Sequence, residues 1–439
     1  MTWKIFVRLI FACTVLPSPA QTRVPANQRT LIVISLDGFP AYALEDPQLP
    51  VPILRRLMRE GSSSRRMTPI NPTVTWPNHT AMVTGVHAAT HGLLVNGSLV
   101  PSETWPPVKI DASINKTAMV RAPTVYDLAQ RAGLTTAEID WVAINRAPTI
   151  TWHFPELASP EGTLEREMIE HGVISREDVD QFSKTNILMR DEIWAKAAVY
   201  LIRQHKPNLL LLHFLTLDSI HHRYGPKSLA GQAAMAFLDR CVAELLEAVN
   251  SAGLTDRATV VVVSDHGFKA FDKQIRLSLA FAAAGLADTA YVLPEGGSAM
   301  VYVKKPAEPG LLAKLLRTLD GVEGIERIAS REDFPALGLP DPGKDRQMPE
   351  LIVYAKTGFA FANGKDGPTV IAAPQTGGAH GYLASDPDMD AIFVAWGYGI
   401  RRGIVLDRIR NVDVAPTLAS LLGITLPKAD GKSLQKILQ

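Results

Sequence analysis

Four short apolar runs constrain this chain more than any other feature: "LIVISL" (31–36), "NLLLLHFL" (208–215), "ATVVVVSD" (258–265) and "AIFVAWG" (391–397). Each has the length and β-branched content of a strand, and each is continuously apolar. A strand with one wet face alternates polar and apolar residues, so continuous runs suit a parallel sheet covered on both faces. Between them, "VPILRRLMREG", "TVYDLAQRAG" and "AAMAFLDRCVAELLEAVNSAG" carry helical spacing, the last closing at Gly253. This alternation predicts an α/β fold: a mostly parallel central sheet with helices on both faces. At 439 residues the chain exceeds the usual single-domain range, so an insert or a second domain is expected. The texture changes over 275–372, where "GGSAMVYVKKP" and "PELIVYAKTGFAFANG" read as strands around a helix, "GLLAKLLRTLDG". That stretch is expected to be a small α+β insert within a unit running 21–439.

The strand ends carry the chemistry, as open α/β sheets bind ligands beyond the carboxyl ends of their strands. The first run ends in Asp37-Gly38. The second leads into "LDSIHHRYGP", with Asp218 and His222 four apart, and the third ends in Asp265-His266. His380 stands among glycines in "GGAHGY", just before the fourth run. Singly, each has a plain reading: an Asp-Gly turn, a solvated i,i+4 helix pair, a tight Asp-His-Gly turn and a loop histidine. Together they supply three carboxylates and three imidazoles, a mixture that zinc accepts and enough for two metals with open positions.

One further stretch, "PTVTWPNHTAMVTG" (72–85), has Pro77 where a helix would begin. The helix is expected to start at Thr75 or Trp76, with Thr75 near the N-cap. Its hydroxyl is then either a cap or a nucleophile at the positive end of a helix.

Composition bounds the rest. A formal charge of +1, with 46% hydrophobic and 20% charged residues, fits an ordinary globular protein and gives no reason to expect binding to nucleic-acid duplexes. The first 20 residues read as a signal peptide: Lys4 and Arg8, an apolar run from Leu9 to Leu16, then Ser18-Pro19-Ala20. The run is too short to span a bilayer, so no transmembrane segment is expected and the protein is expected to be exported, to a periplasm or outside the cell. An ordinary first helix, or a lipid attached at Cys13, are the alternatives. Cys13 would leave with the leader, and Cys241, in a helical apolar pattern, reads as a buried helix residue.

With these residues in view, the chain resembles the nucleotide pyrophosphatase/phosphodiesterase family of the alkaline phosphatase superfamily. "LDGFP", "PTVTWPNHTAMVTGVHAATHGLLVNG", "LDSIHHRYGP", "VVSDHGF" and "GGAHGY" occur in that family's order, and "NVDVAPTLASLLGITLPKADGKSL" is similar to the superfamily's ending. The resemblance implies an alkaline-phosphatase-like core and a hydrolase of phosphodiester or pyrophosphate bonds using two Zn²⁺ per chain. It implies one zinc on Asp218, His222 and His380, and another on Asp37, Asp265 and His266 with Thr75 beside it. Thr75 would be the nucleophile, forming a phosphothreonyl intermediate, and Asn96 would donate to a non-bridging phosphoryl oxygen. The implied partner is a small phosphodiester or nucleotide-like substrate.

Several positions depart from the family pattern. Where the family reads Asp-x-x-Gly-His, this chain has Asp218-Ser-Ile-His221-His222, so His221 is an alternative ligand or a neighbour of the site. Trp76 is read as a ring stacking on the substrate, with a core aromatic as the alternative. His213 stands where nucleotide-cleaving relatives tend to carry a stacking tyrosine and is carried as a substrate-binding residue. His79, His87 and His91 are read as packing or hydrogen-bonded residues. Related monoesterases hold extra phosphate oxygens with a Lys/Arg pair, whereas "EIDWVAINRAPTITW" offers only Arg146, which favours diesters. A phosphomonoesterase, a phosphonate hydrolase and a non-catalytic metal-binding protein are the other readings.

Overall fold

The computed structural model describes residues 24–439, and in it all four apolar runs become strands of one eight-stranded sheet. The leader expected over residues 1–20, with Cys13, lies outside the described residues. In chain order the strands are β1 (Thr30–Leu36), β2 (Ser62–Thr68), β3 (Thr136–Ile139), β4 (Trp152–Phe154), β5 (Leu209–Phe214), β6 (Ala258–Val263), β7 (Ala391–Gly397) and β8 (Ile404–Arg410). Across the sheet they run β8-β2-β7-β6-β1-β5-β3-β4. The register sets Ile34 beside Leu212 on one side and Val262 on the other.

Both faces are covered. Ile32, Ile34 and Leu36 of β1 enter one apolar core, while Leu31 and Val33 enter another. The first is closed by helices α2 (Ile187–Gln204) and α4 (Leu229–Ser251); the second by α1 (Thr75–Thr84) and α5 (Val414–Leu422). A continuous apolar run is what such a strand needs, because neither face meets water. Cys241 of α4 is buried in the first core, as expected.

The sheet is mostly parallel, with one exception that the sequence reading did not foresee. The fourth run, β7, is antiparallel to both β6 and β2. Apolar continuity reports burial on both faces and is indifferent to strand direction.

Between β6 and β7 the chain builds two further sheets. Ala290–Glu295, Ser298–Val303, Leu351–Ala355 and Ile325–Ala329 form an antiparallel four-stranded sheet, in that order. Lys269–Ile275 is the middle strand of a three-stranded sheet, flanked by Gly358–Phe361 and Val370–Ala379. Helices Leu277–Ala283 and Leu311–Asp320 pack with these strands around a third core. The middle strand starts six residues after β6, so it leaves the central sheet directly beside Asp265 and His266.

Candidate active site

Four elements deliver side chains to one end of the sheet. Asp37 follows β1 at a turn made by Gly38 (φ +66°), and Asp265 and His266 follow β6. Helix α3 (Thr216–Tyr224) supplies Asp218 and His222 one turn apart. His380 follows the strand Val370–Ala379 of the small sheet. Helix α3 has no side-chain cap of its own. Instead, buried Asp191 of α2 accepts hydrogen bonds from the N–H groups of Leu215 (3.1 Å) and Thr216 (2.9 Å). That carboxylate holds the end of α3 from which Asp218 projects.

The donor set fits divalent cations. Asp37 and Asp265 are fully buried and Asp218 is 9% exposed, yet Asp37 Oδ1, Asp265 Oδ2 and Asp218 Oδ1 have no hydrogen-bond partner. Orphaned buried carboxylate oxygens are costly unless something positive reaches them. The histidines are set in the complementary tautomer. Nδ1 of His266 lies 3.1 Å from Gly267 O, that of His222 3.0 Å from Gly378 O, and that of His380 2.9 Å from Thr73 O. A carbonyl only accepts, so each Nδ1 carries the proton and each Nε2 lone pair is free for a ligand role.

His266 Nε2 lies 3.2 Å from Asp265 and 3.6 Å from Asp37; His222 Nε2 lies 3.4 Å, and His380 Nε2 3.9 Å, from Asp218. Among the described residues, two groups bring one ligand atom each within 4.8 Å of one another: Asp37 with Asp265 and His266, and Asp218 with His266 and His380. The first is the set expected from sequence. In the second, His266, whose ring stacks on His380 at 3.9 Å, takes the place expected for His222. His222 faces Asp218 from the solvent edge.

The charges are mutually strained. Burial, and then the carboxylates of Asp265 and Asp218, hold Asp37 well above the usual carboxylate range. Burial pulls His266 down to about 4 and His380 to about 3, so both are neutral at pH 7. Neutral imidazoles and crowded carboxylates are what a cation site needs.

Thr75 is the first residue of α1, and the N-cap is Val74, which makes no side-chain cap. The hydroxyl therefore does not cap the helix; Thr75 Oγ1 lies 3.4 Å from His266 Nε2. Asn96 is exposed, and its Oδ1 accepts from the Trp76 N–H at 2.9 Å, which commits the oxygen and leaves Nδ2 to donate elsewhere. Trp76 is half-buried against Leu93, Met119, Val120 and Ala143. It also lines a cavity of about 640 Å³, together with Trp141, Ile144, Arg146, Asp140 and Leu157.

His213 does not face a substrate. It is 1% exposed, with Nε2 2.8 Å from Asp37 Oδ2 and Nδ1 3.0 Å from Asp140 Oδ2. A strand buried on both faces has no wet side, so counting back from Asp218 could not turn this ring toward a ligand. Burial lowers the affinity of His213 for its proton, but Asp140 and then Asp37 reverse that and hold it well above the ordinary histidine value.

His221 is buried, with Nδ1 3.2 Å from Gly38 O and Nε2 unpartnered; it lies outside both ligand groups. His79 bonds Thr75 O through Nδ1 (2.9 Å), and His91 Nδ1 accepts from the Leu93 N–H (3.1 Å). His87 is half-buried, with Nδ1 unpartnered. Sequence reasoning missed Asp140 and Asp191, and gave no role to Phe268. The ring of Phe268 packs against those of His221, His222, His266 and His380. Its place in "SDHGF" was the available signal.

Comparison with known proteins follows the same lines. Residues 31–383 match the sequence profile of type I phosphodiesterase / nucleotide pyrophosphatase. The chain is 25% identical over 429 residues to ectonucleotide pyrophosphatase/phosphodiesterase family member 7 of Mus musculus, covering 97% of this chain and 90% of that one. It is 23% identical over 438 residues to a bis(5'-adenosyl)-triphosphatase of Xenopus laevis, covering 97% and 84%. Human ectonucleotide pyrophosphatase/phosphodiesterase 5 shares the fold, with a TM-score of 0.72 at 22% identity over 94% of this chain and 100% of that one. No helix among the described residues is long and apolar enough to cross a membrane. The strand-end acids and histidines thus gather on a framework whose profile spans most of the sequence, and the chain belongs to the type I phosphodiesterase / nucleotide pyrophosphatase family.

Proposed function

We propose that this protein hydrolyses phosphodiester or pyrophosphate bonds of small nucleotide-type substrates, using two zinc ions and Thr75 as nucleophile. The observation that carries the reading is the set of unpartnered buried oxygens on Asp37, Asp218 and Asp265, gathered with histidine Nε2 atoms beside Thr75. Asp37, Asp265 and His266 would hold one ion, and Asp218, His222 and His380 the other. Ions bound there supply positive charge that keeps the Thr75 oxygen deprotonated and neutralises phosphoryl oxygens.

Thr75 Oγ then attacks phosphorus in line with the leaving oxygen. The P–O bond to the leaving group breaks as the bond to Thr75 forms. Water cleaves the resulting phosphothreonyl ester in a second displacement, returning the hydroxyl to Thr75. Asn96 Nδ2 donates to a non-bridging oxygen, and its Oδ1, tied to the Trp76 N–H, keeps that amide oriented. The cavity beside Trp76 gives the second organic group of a diester a place that a monoester would leave empty. A relative named bis(5'-adenosyl)-triphosphatase, and a solved murine relative in complex with AMP, support nucleotide-type substrates. Export with a mature start near Gln21 belongs to the same reading, and mass spectrometry of the secreted or periplasmic protein checks it.

The test is substitution of Thr75 on the zinc-loaded enzyme. Thr75→Ala is expected to keep the fold and zinc content while losing orders of magnitude in kcat, and Thr75→Ser to recover part of the rate. Two displacements give net retention at phosphorus with a chiral thiophosphate diester. Inversion would mean direct attack by water and would overturn the assignment.

A further inference from the structure

A histidine in the run "LLLLHF" of β5 interrupts a strand whose other residues are all leucine or phenylalanine, and it does so with both faces buried. Its nitrogens meet two carboxylates that are themselves buried: Asp37 at 0% and Asp140 at 2% exposure. Asp140 sits immediately after β3 in the left-handed backbone region (φ 54°), its N–H donating to Phe154 O at 2.8 Å. Its backbone carbonyl takes the His213 Nδ1 hydrogen bond at 3.1 Å, while its carboxylate, 3.0 Å from the same nitrogen, adds negative charge without making a hydrogen bond. His79 packs edge-on against the imidazole at 4.6 Å and closes the remaining side. No substrate reaches this ring, and an apolar residue would fill the same core space without two buried charges. The arrangement therefore calls for a role exerted through Asp37.

That role is visible in how the two Asp37 oxygens differ. Oδ2 is taken by His213 Nε2 at 2.8 Å. Oδ1 has no partner and lies 3.6 Å from His266 Nε2, on the side of Asp265. A free carboxylate can bind a cation through either oxygen or both, and each mode puts the ion in a different place.

We infer that His213 is a positioning residue for Asp37. It ties Oδ2, so that Asp37 presents Oδ1 alone to the cation shared with Asp265 and His266, and Asp140 orients the imidazole from behind. The inference rests on the metal-dependent reading above. Partners of this kind orient a ligand, and their loss typically weakens metal binding 10- to 100-fold.

The experiment titrates the metal-free, full-length chain with Zn²⁺ against a chromophoric chelator, and records the visible spectrum with Co²⁺ in place of zinc. His213→Leu is expected to weaken one of two sites by roughly 10- to 100-fold and leave the other unchanged, and Asp140→Ala, which keeps the backbone carbonyl on Nδ1, to weaken the same site by less. His213→Gln, whose amide donates from nearly the same position, is expected to recover most of that loss. The Co²⁺ bands of the weakened site should shift as Asp37 changes its binding mode. If His213→Leu fails to fold, His213→Met decides in its place, because it fills the core space without donating to Asp37. Two sites of wild-type affinity in every folded variant would overturn the inference and leave the two-metal reading standing. A wild-type chain that binds no metal would overturn both.

Discussion

Asp191 offers a test in which most other contributions cancel. It is fully buried on α2 and accepts two backbone N–H groups at the start of α3. Burial raises its pKa to about 6 from an ordinary value of 3.8, even though the bonds from Leu215 and Thr216 pull the other way. Because the folded value lies above the unfolded one, the native state holds the proton more tightly, and stability falls as pH rises from about 4 through 6. Moving a carboxyl from 3.8 to about 6 corresponds to a destabilisation of about 3 kcal/mol, absent below the lower value and fully present above the higher. Asp191→Asn removes the titration and keeps one acceptor, at a cost of about 1 kcal/mol for the weaker hydrogen bonding. The variant is therefore expected to be less stable than wild type near pH 3.5 by about 1 kcal/mol, and more stable near pH 7.5 by about 2 kcal/mol. Urea denaturation of both metal-free proteins across that range measures the difference, in which titrations elsewhere in the chain cancel. A difference that stays constant with pH would refute the reasoning.

Gly38→Ala is expected to destabilise the protein by at least about 1–2 kcal/mol from the left-handed backbone alone. The added Cβ would also sit 2.7 Å from the Phe268 ring, which packs against the site histidines, so zinc occupancy should fall with stability. Denaturation and metal analysis check both, and an unperturbed variant would contradict the geometry. Chelation should lower the thermal midpoint, because a cation present at a hundredfold its Kd contributes about 2.7 kcal/mol, and calorimetry with and without zinc would reveal it. Identical midpoints would count against a cation at Asp37.

The strands β1, β5 and β6 were legible because burial on both faces leaves no alternation to misread. β2 was not: three of its four buried positions are Ser62, Ser63 and Ser64, small polar residues that fit between β7 and β8, and Met67 alone carries an apolar signal. The direction of β7 is set by its partners, which no local pattern encodes. The strand-end acids could be found because they follow the strands by one to four residues. The Asp140–His213 contact could not, since 73 residues separate the two and only the neighbouring places of β3 and β5 bring them together. Likewise Thr75 could be located at a helix start, but a residue at the first helical position and one at the cap differ by backbone angles that the sequence does not display.

Strand β2 has a consequence for how the protein is made. Its only neighbours in the sheet are β7 and β8, which lie more than 300 residues later in the chain. At ordinary elongation rates, a ribosome takes on the order of tens of seconds to reach them. Throughout that interval β2 has no mate, and for its last part β6, once made, displays an open edge of four valines. Unpaired edges invite association between chains, and serine and arginine discourage it. "SSSRRMT" is therefore a composition suited to waiting: soluble while the nascent chain is incomplete, and small enough to be buried once the C-terminal strands arrive.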